Sequence, residues 1–341
     1  MEPSWLQIVW YALFMTLIVG YAILDGFDLG VGVLSLFNRS DDERRLYINA
    51  VAPVWDGNEV WLLTAGGALF AAFPPVYATV FSGLYLALML VLVGLIARAV
   101  SMEFRGRVAS PGWRQLWDRV FGVGSLLPAL LFGVAVGNIL RGLPLTAGGE
   151  FAGRFIDLLN PFSLLIGALG LTMFVMHGAL YMALKSGGDL RERMLRTALN
   201  AWTVWVILYV VAVLVGFFEA PYLVDRTLGS AWFWGPFFVF IGALLYLPMT
   251  IRAGQALRAM IVSSTAVLTL IAQAASGLYP TLVPARNAPE LSLTIANSSS
   301  SATTLWTMLV IALLGMPVVL AYTIYVYRVF KGKVALDEYS Y

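Results

Sequence analysis

The 341-residue chain contains no cysteine and a single histidine. Without thiols there is no disulfide, no thiolate-bound metal and no cysteine-ligated cluster, and the redox compartment leaves no mark on the sequence. One imidazole does not suffice for several haems held between paired histidines, so multi-haem chemistry would need a partner chain. Charge is also scarce: Asp, Glu, Lys and Arg make up 12% of residues against 60% hydrophobic. With a mean hydropathy of +0.84, this composition excludes a soluble domain and indicates an integral membrane protein. The net charge of only +2 gives no reason to expect a nucleic-acid partner. No alternating ten-residue pattern occurs, which argues against a β-barrel.

What is present is a succession of apolar runs, each near the roughly 20 residues that cross a hydrocarbon core of about 30 Å as a helix. Nine spans are expected, near 6–36, 50–72, 77–99, 120–140, 161–184, 198–218, 231–250, 259–279 and 304–329, giving an all-α polytopic membrane helical bundle. No linker or internal repeat divides residues 1–341, so a single transmembrane domain is expected. The first span lacks a basic leader and a small-residue cleavage site, and is expected to remain in the mature protein.

Of the 21 Lys and Arg, 17 fall in alternate connections, from Arg39, Arg44 and Arg45 to Arg328, Lys331 and Lys333. The intervening connections hold only Arg141, Arg154, Arg226 and Arg286. Because basic loops stay in the cytoplasm, the amino terminus is expected outside and the carboxyl terminus inside. The outer connection from Leu278 to Ser301, rich in Pro, Ser and Asn, reads as an ordered cap.

The rarest feature is acid inside apolar sequence: Asp25 and Asp28 in the first span, Asp56 and Glu59 in the second. A carboxylate in hydrocarbon is costly, so such residues mark polar chemistry. Residues three apart share a helix face, and antiparallel neighbours could bring all four acids together. Counted from just after Arg45, Asp56 would lie on the order of 15 Å along its helix. Four adjacent carboxylates do not all stay ionised, so they are candidates to relay protons. No Lys or Arg falls well inside a span; Arg98, at the cytoplasmic end of the third, is the nearest. The acids could instead be fixed polar glue, bonded to Trp55, Asn58 and Trp61, while glycines 26, 30 and 32 suggest close helix packing. Asp56 is favoured as the proton carrier. His177 reads as an interhelical polar residue before a haem ligand or proton carrier, the methionines as packing, and the tryptophans and tyrosines as interfacial belts.

Several blocks carry a family resemblance: Asp25-Gly-Phe-Asp-Leu-Gly-Val-Gly32, Asp42-Glu-Arg-Arg45, the long stretch from Ala52 to Pro74 around Trp55-Asp-Gly-Asn-Glu59, Gly137-Asn138, and more weakly Asn160-Pro-Phe162 and the tyrosine-ended tail. Over nearly its whole length the chain resembles subunit II of the cytochrome bd family of quinol-oxidising terminal oxidases. The resemblance implies a bacterial or archaeal cytoplasmic-membrane protein of the respiratory chain, assembled as a heterodimer with a haem-bearing subunit I. Subunit I would carry haem b and haem d (or haem b in its place), oxidise quinol and reduce oxygen to water. A small accessory membrane subunit, lipids and quinol are further expected partners, and no cofactor is expected on this chain alone. The resemblance also implies a cytoplasmic proton route. That role carries over most directly to Asp56, then to Glu103 and Arg107 in Met102-Glu-Phe-Arg-Gly-Arg107 and to Tyr341 near the inner mouth, with Asp25, Asp28 and Glu59 in support. Some relatives have Gln at the position of Glu59, so a proton role there is not general. A proton-coupled secondary transporter is the competing reading, since buried acids also serve carriers.

Overall fold

The computed structural model describes residues 2–336. Its helices, in chain order, are α1 (Trp5–Leu34), α2 (Asp41–Val51), α3 (Trp55–Ala72), α4 (Pro74–Gly83), α5 (Tyr85–Arg105), α6 (Pro111–Arg141), α7 (Pro161–Lys185), α8 (Gly188–Glu219), α9 (Pro221–Leu228), α10 (Ala231–Arg252), α11 (Ala256–Leu278) and α12 (Ala302–Val329). Helix starts follow from local chemistry. Ser4 and Gln7 form a reciprocal capping box on α1, and Asn160 Oδ1 accepts from the Ser163 N–H at 3.0 Å before Pro161 opens α7.

Among the described residues, eight helices are long and apolar enough to cross a membrane: α1, α5, α6, α7, α8, α10, α11 and α12. The second expected span is not one of them. Pro53 has no N–H to continue a helix, so the chain turns between α2 and α3. The 18-residue α3 then opens on Trp55-Asp-Gly-Asn-Glu59, which lowers its hydropathy. Asp56 therefore lies in the first turn of α3, not some 15 Å along a helix. The third expected span is likewise corrected: Pro74 starts the short α4, the chain breaks at Leu84, and α5 runs on to Arg105. Arg98 is thus two turns inside a helix, and 1% exposed.

The helix α1 is central, packing against α3, α6, α7 and α11. Its glycines permit this, as the sequence suggested. A Cβ on Gly30 would meet the Phe174 carbonyl oxygen at 1.8 Å, and one on Gly178 would meet the Gly30 carbonyl carbon at 2.5 Å, so α1 and α7 touch backbone to backbone. By contrast α12 packs chiefly on α1 and α3 and exposes most of its apolar surface. The expected cap is ordered: β1 (Thr281–Val283) pairs antiparallel with β2 (Leu293–Thr294). The Asn287 amide holds both backbone groups of Leu145, at 2.9 and 2.8 Å.

Candidate functional site

Two turns before the basic end of α5, four helices converge on a largely buried polar cluster. Arg98 Nη2 donates to Asp25 Oδ1 at 2.8 Å and to Glu59 Oε1 at 3.1 Å. Asn58 Nδ2 donates to Asp28 Oδ2 at 2.7 Å and to the Leu24 carbonyl at 3.3 Å, while its Oδ1 accepts from the Tyr327 hydroxyl at 3.0 Å. The Leu24 carbonyl can only accept, which fixes the amide orientation and leaves the phenol to donate to Oδ1. Asp25, Asp28 and Asn58 are buried, whereas the Glu59 side chain keeps 19% of its surface.

The expectation that no embedded cation neutralises the acids is therefore wrong: Arg98 is that cation. The extension of α5 past residue 99 carries it inward. The four acids also do not form one group. Asp25, Asp28 and Glu59 gather around Arg98 and Asn58, but Asp56 is exposed. A 100° step per residue places Asp56 with Gly57, Val60, Leu63, Thr64 and Gly67 on the outward face of α3, while Asn58, Trp61, Ala65 and Leu69 turn inward. Asp56 sits at the positive end of the α3 dipole, where a carboxylate is favoured.

At the basic end of the bundle, buried Arg105 binds Asp41 of α2 and Asp118 of α6, the latter at 2.7 Å. Arg44 lies 3.6 Å from the same Asp118. These pairs fasten the amphipathic α2 across the ends of α5 and α6. Burial opposes ionisation of Glu43, but Arg193, at 2.6 Å, and the Arg39 N–H, at 2.9 Å, outweigh it and hold this carboxyl below the usual glutamate range. Glu103 and Arg107 are exposed at the end of α5 and just beyond it. Tyr341 lies outside the described residues.

His177 is buried on α7, with Nδ1 2.8 Å from Ser263 Oγ of α11 and Nε2 3.0 Å from the Ile23 carbonyl of α1. With both nitrogens engaged, the imidazole ties three helices and does not fit the role of a haem ligand. The sequence reading missed Tyr327 as a member of the cluster, and nothing in its local sequence distinguishes it from other tyrosines of α12. Arg98 carried a usable signal, a lone arginine in Leu95-Ile-Ala-Arg98 within apolar sequence, which the misplaced helix end concealed.

Comparison with known proteins agrees with this architecture. Residues 6–330 match the family model for cytochrome bd terminal oxidase subunit II. The chain is 36% identical to "Cytochrome bd-I ubiquinol oxidase subunit 2" of Escherichia coli (strain K12), over 98% of this chain and 96% of that protein. It is 33% identical to "Cytochrome bd ubiquinol oxidase subunit 2" of Bacillus subtilis (strain 168), over 97% of each. The solved bd oxidase from Geobacillus thermodenitrificans includes a chain that superposes with a TM-score of 0.80 at 17% identity, covering 96% of this chain and 99% of that one, a likeness of fold.

Proposed function

This chain belongs to the cytochrome bd terminal oxidase subunit II family, and from that premise we propose that it admits cytoplasmic protons to the oxygen-reducing centre of its complex by way of Asp56. It is a multi-pass membrane subunit of a bd-type quinol oxidase and works beside a partner subunit I; the transporter reading is not favoured. In this proposal the partner holds haem b and haem d, or haem b in its place, and oxidises the quinol. The termini are oriented as the basic loops imply, amino terminus outside, which puts the α2 end of the bundle in the cytoplasm.

The observation that carries the proposal is the placement of Asp56. An ionisable residue on the apolar outward face of a helix in a membrane subunit is costly against lipid, so this face is better suited to a protein partner and its water. Asp56 lies one helical step from the Arg98 cluster through Asn58 and Glu59, and near the α2 end where protons would enter. Glu103 and Arg107, exposed at that same end, form the approach in this reading, and Asp25, Asp28 and Glu59 supply the polar lining behind it. The alternative role, polar glue, fits Asp25 and Asn58 better than it fits an exposed Asp56.

The test is Asp56→Asn in the assembled complex. Turnover with quinol and oxygen should fall by at least tenfold, of the order that removal of a positioned proton carrier costs, while haem content and subunit stoichiometry stay at wild-type levels. Normal turnover would sink the relay assignment. Loss of haem would instead assign Asp56 to assembly.

A further inference from the structure

We propose that Asp28 is the neutral member of the buried cluster, holding a proton, with its state set by Asn58 and Tyr327. This assignment deepens the proton-route reading and rests on it for its purpose. Three carboxyl groups share the interior with one guanidinium. Both contacts of Arg98 go to Asp25 and Glu59, so the two acids in contact with the cation already leave that triad one charge negative. Among the described residues no cation contacts Asp28: Asp25 on its own helix and Glu59 on α3 repel it, and Arg98 on α5 attracts it only from a distance, its contacts going to the other two acids. The hydroxyl of Tyr181 on α7 donates to the Ala50 carbonyl at 3.0 Å, and that of Tyr327 on α12 donates to Asn58.

Among the described residues, the one side-chain hydrogen bond of Asp28 comes from a neutral amide, to Oδ2, and its other oxygen, Oδ1, is buried without a partner. An ionised carboxylate in that setting would be an unpaired charge away from water, which proteins avoid by neutralising the group. A protonated carboxyl costs less: Oδ2 accepts from Asn58 as a carbonyl would, and the proton on Oδ1 puts a neutral O–H where an unpaired charge would stand. The Tyr327 hydroxyl has a defined part here. By donating to Asn58 Oδ1 it keeps the amide N–H directed at Asp28, and it is the polar side chain through which the sparsely packed α12 reaches the cluster.

Infrared spectroscopy of the intact complex, in water and in D2O at neutral pH, reads the carbonyl stretch of protonated carboxyl groups directly. A deuterium-sensitive band should be present in the wild type, absent in Asp28→Asn and unchanged in Asp56→Asn. Asp28→Asn should assemble with full haem, because an amide copies the shape of the neutral acid. In Tyr327→Phe the band should persist with a shifted frequency, since the polarised amide is released. A wild-type band that survives Asp28→Asn overturns the proposal. Should Asp28→Asn not assemble, Tyr327→Phe decides: an unshifted band refutes the assignment and a shifted one upholds it. Turnover plays no part in this readout, so its outcome is independent of the Asp56 test.

Discussion

Replacing Arg98 with leucine removes the cation that Asp25 and Glu59 both contact while retaining an apolar side chain of moderate size. Breaking a buried ion pair by deleting one partner costs about 3–5 kcal/mol, because the remaining charge is left uncompensated. The two acids share this cost unequally. Glu59, with 19% of its side chain exposed, can recover some hydration, whereas Asp25 is wholly buried and cannot. The larger share therefore belongs to Asp25, and Arg98→Leu should destabilise the complex by about 3–5 kcal/mol when thermal unfolding is followed by haem absorbance and tryptophan fluorescence. Adding Asp25→Asn removes the stranded charge, so the double variant should recover about 1–3 kcal/mol of that loss, the coupling expected of contacting residues. Arg98→Lys should fall between, since it keeps the charge but not the planar guanidinium whose Nη2 donates to both carboxylates. If the effects of Arg98→Leu and Asp25→Asn simply add within about 0.5 kcal/mol, the two residues are energetically independent. The description of Arg98 as the counter-ion of the cluster would then be wrong.

Three further outcomes follow from other parts of the fold. His177→Leu should leave haem content unchanged by pyridine haemochrome assay, yet lower thermal stability by about 1–3 kcal/mol, since Ser263 and the Ile23 carbonyl lose a buried partner. Gly30→Ala should destabilise or block assembly, because its Cβ would be forced onto the Phe174 backbone; an overpacking cost of at least about 1–3 kcal/mol is expected, measurable as lost co-purification with the partner subunit. Glu43, held below its ordinary range by Arg193 and the Arg39 N–H, contributes stability that is present above the unfolded-state pKa and lost as pH falls through the folded one. Thermal unfolding of Glu43→Gln should thus be less stable than wild type near neutrality, by no more than about 1 kcal/mol for so peripheral a pair. The difference should shrink under acid conditions below the usual glutamate range; a difference that grows there would contradict the assignment.

Much of this arrangement was legible in one dimension. Apolar runs of membrane-crossing length, separated by basic or polar connections, specified the helical bundle, because hydrocarbon admits only segments that satisfy their own backbone. The expected approach of the first two acid-bearing segments holds for α1 and α3, although α2 lies between them in the chain, and the glycines of α1 signalled a close helix contact, which is made with α7. Errors arose where a local breaker outweighed hydropathy. Pro53 broke the expected 50–72 span near its start, separating α2 from α3, and the break at Leu84 moved the third span toward the basic end, carrying Arg98 inward. Period and composition do not register such shifts, since an apolar run looks the same on either side of a proline.

The sequence by itself determined that this is a polytopic helical membrane protein whose acids at 25, 28, 56 and 59 are its costliest residues, because composition and run length depend on no long-range contact. Only the tertiary structure decided how those acids divide. Arg98, 42 residues from Asp56 in the sequence, and Tyr327, at the far end of the chain, enter the cluster through helix packing alone. The phase of α3, set by where Pro53 lets it begin, turns Asn58 inward and Asp56 out and leaves Glu59 on the flank between them. A charge's partners are fixed by distance in space, and for residues on different helices that distance is a property of the assembled bundle.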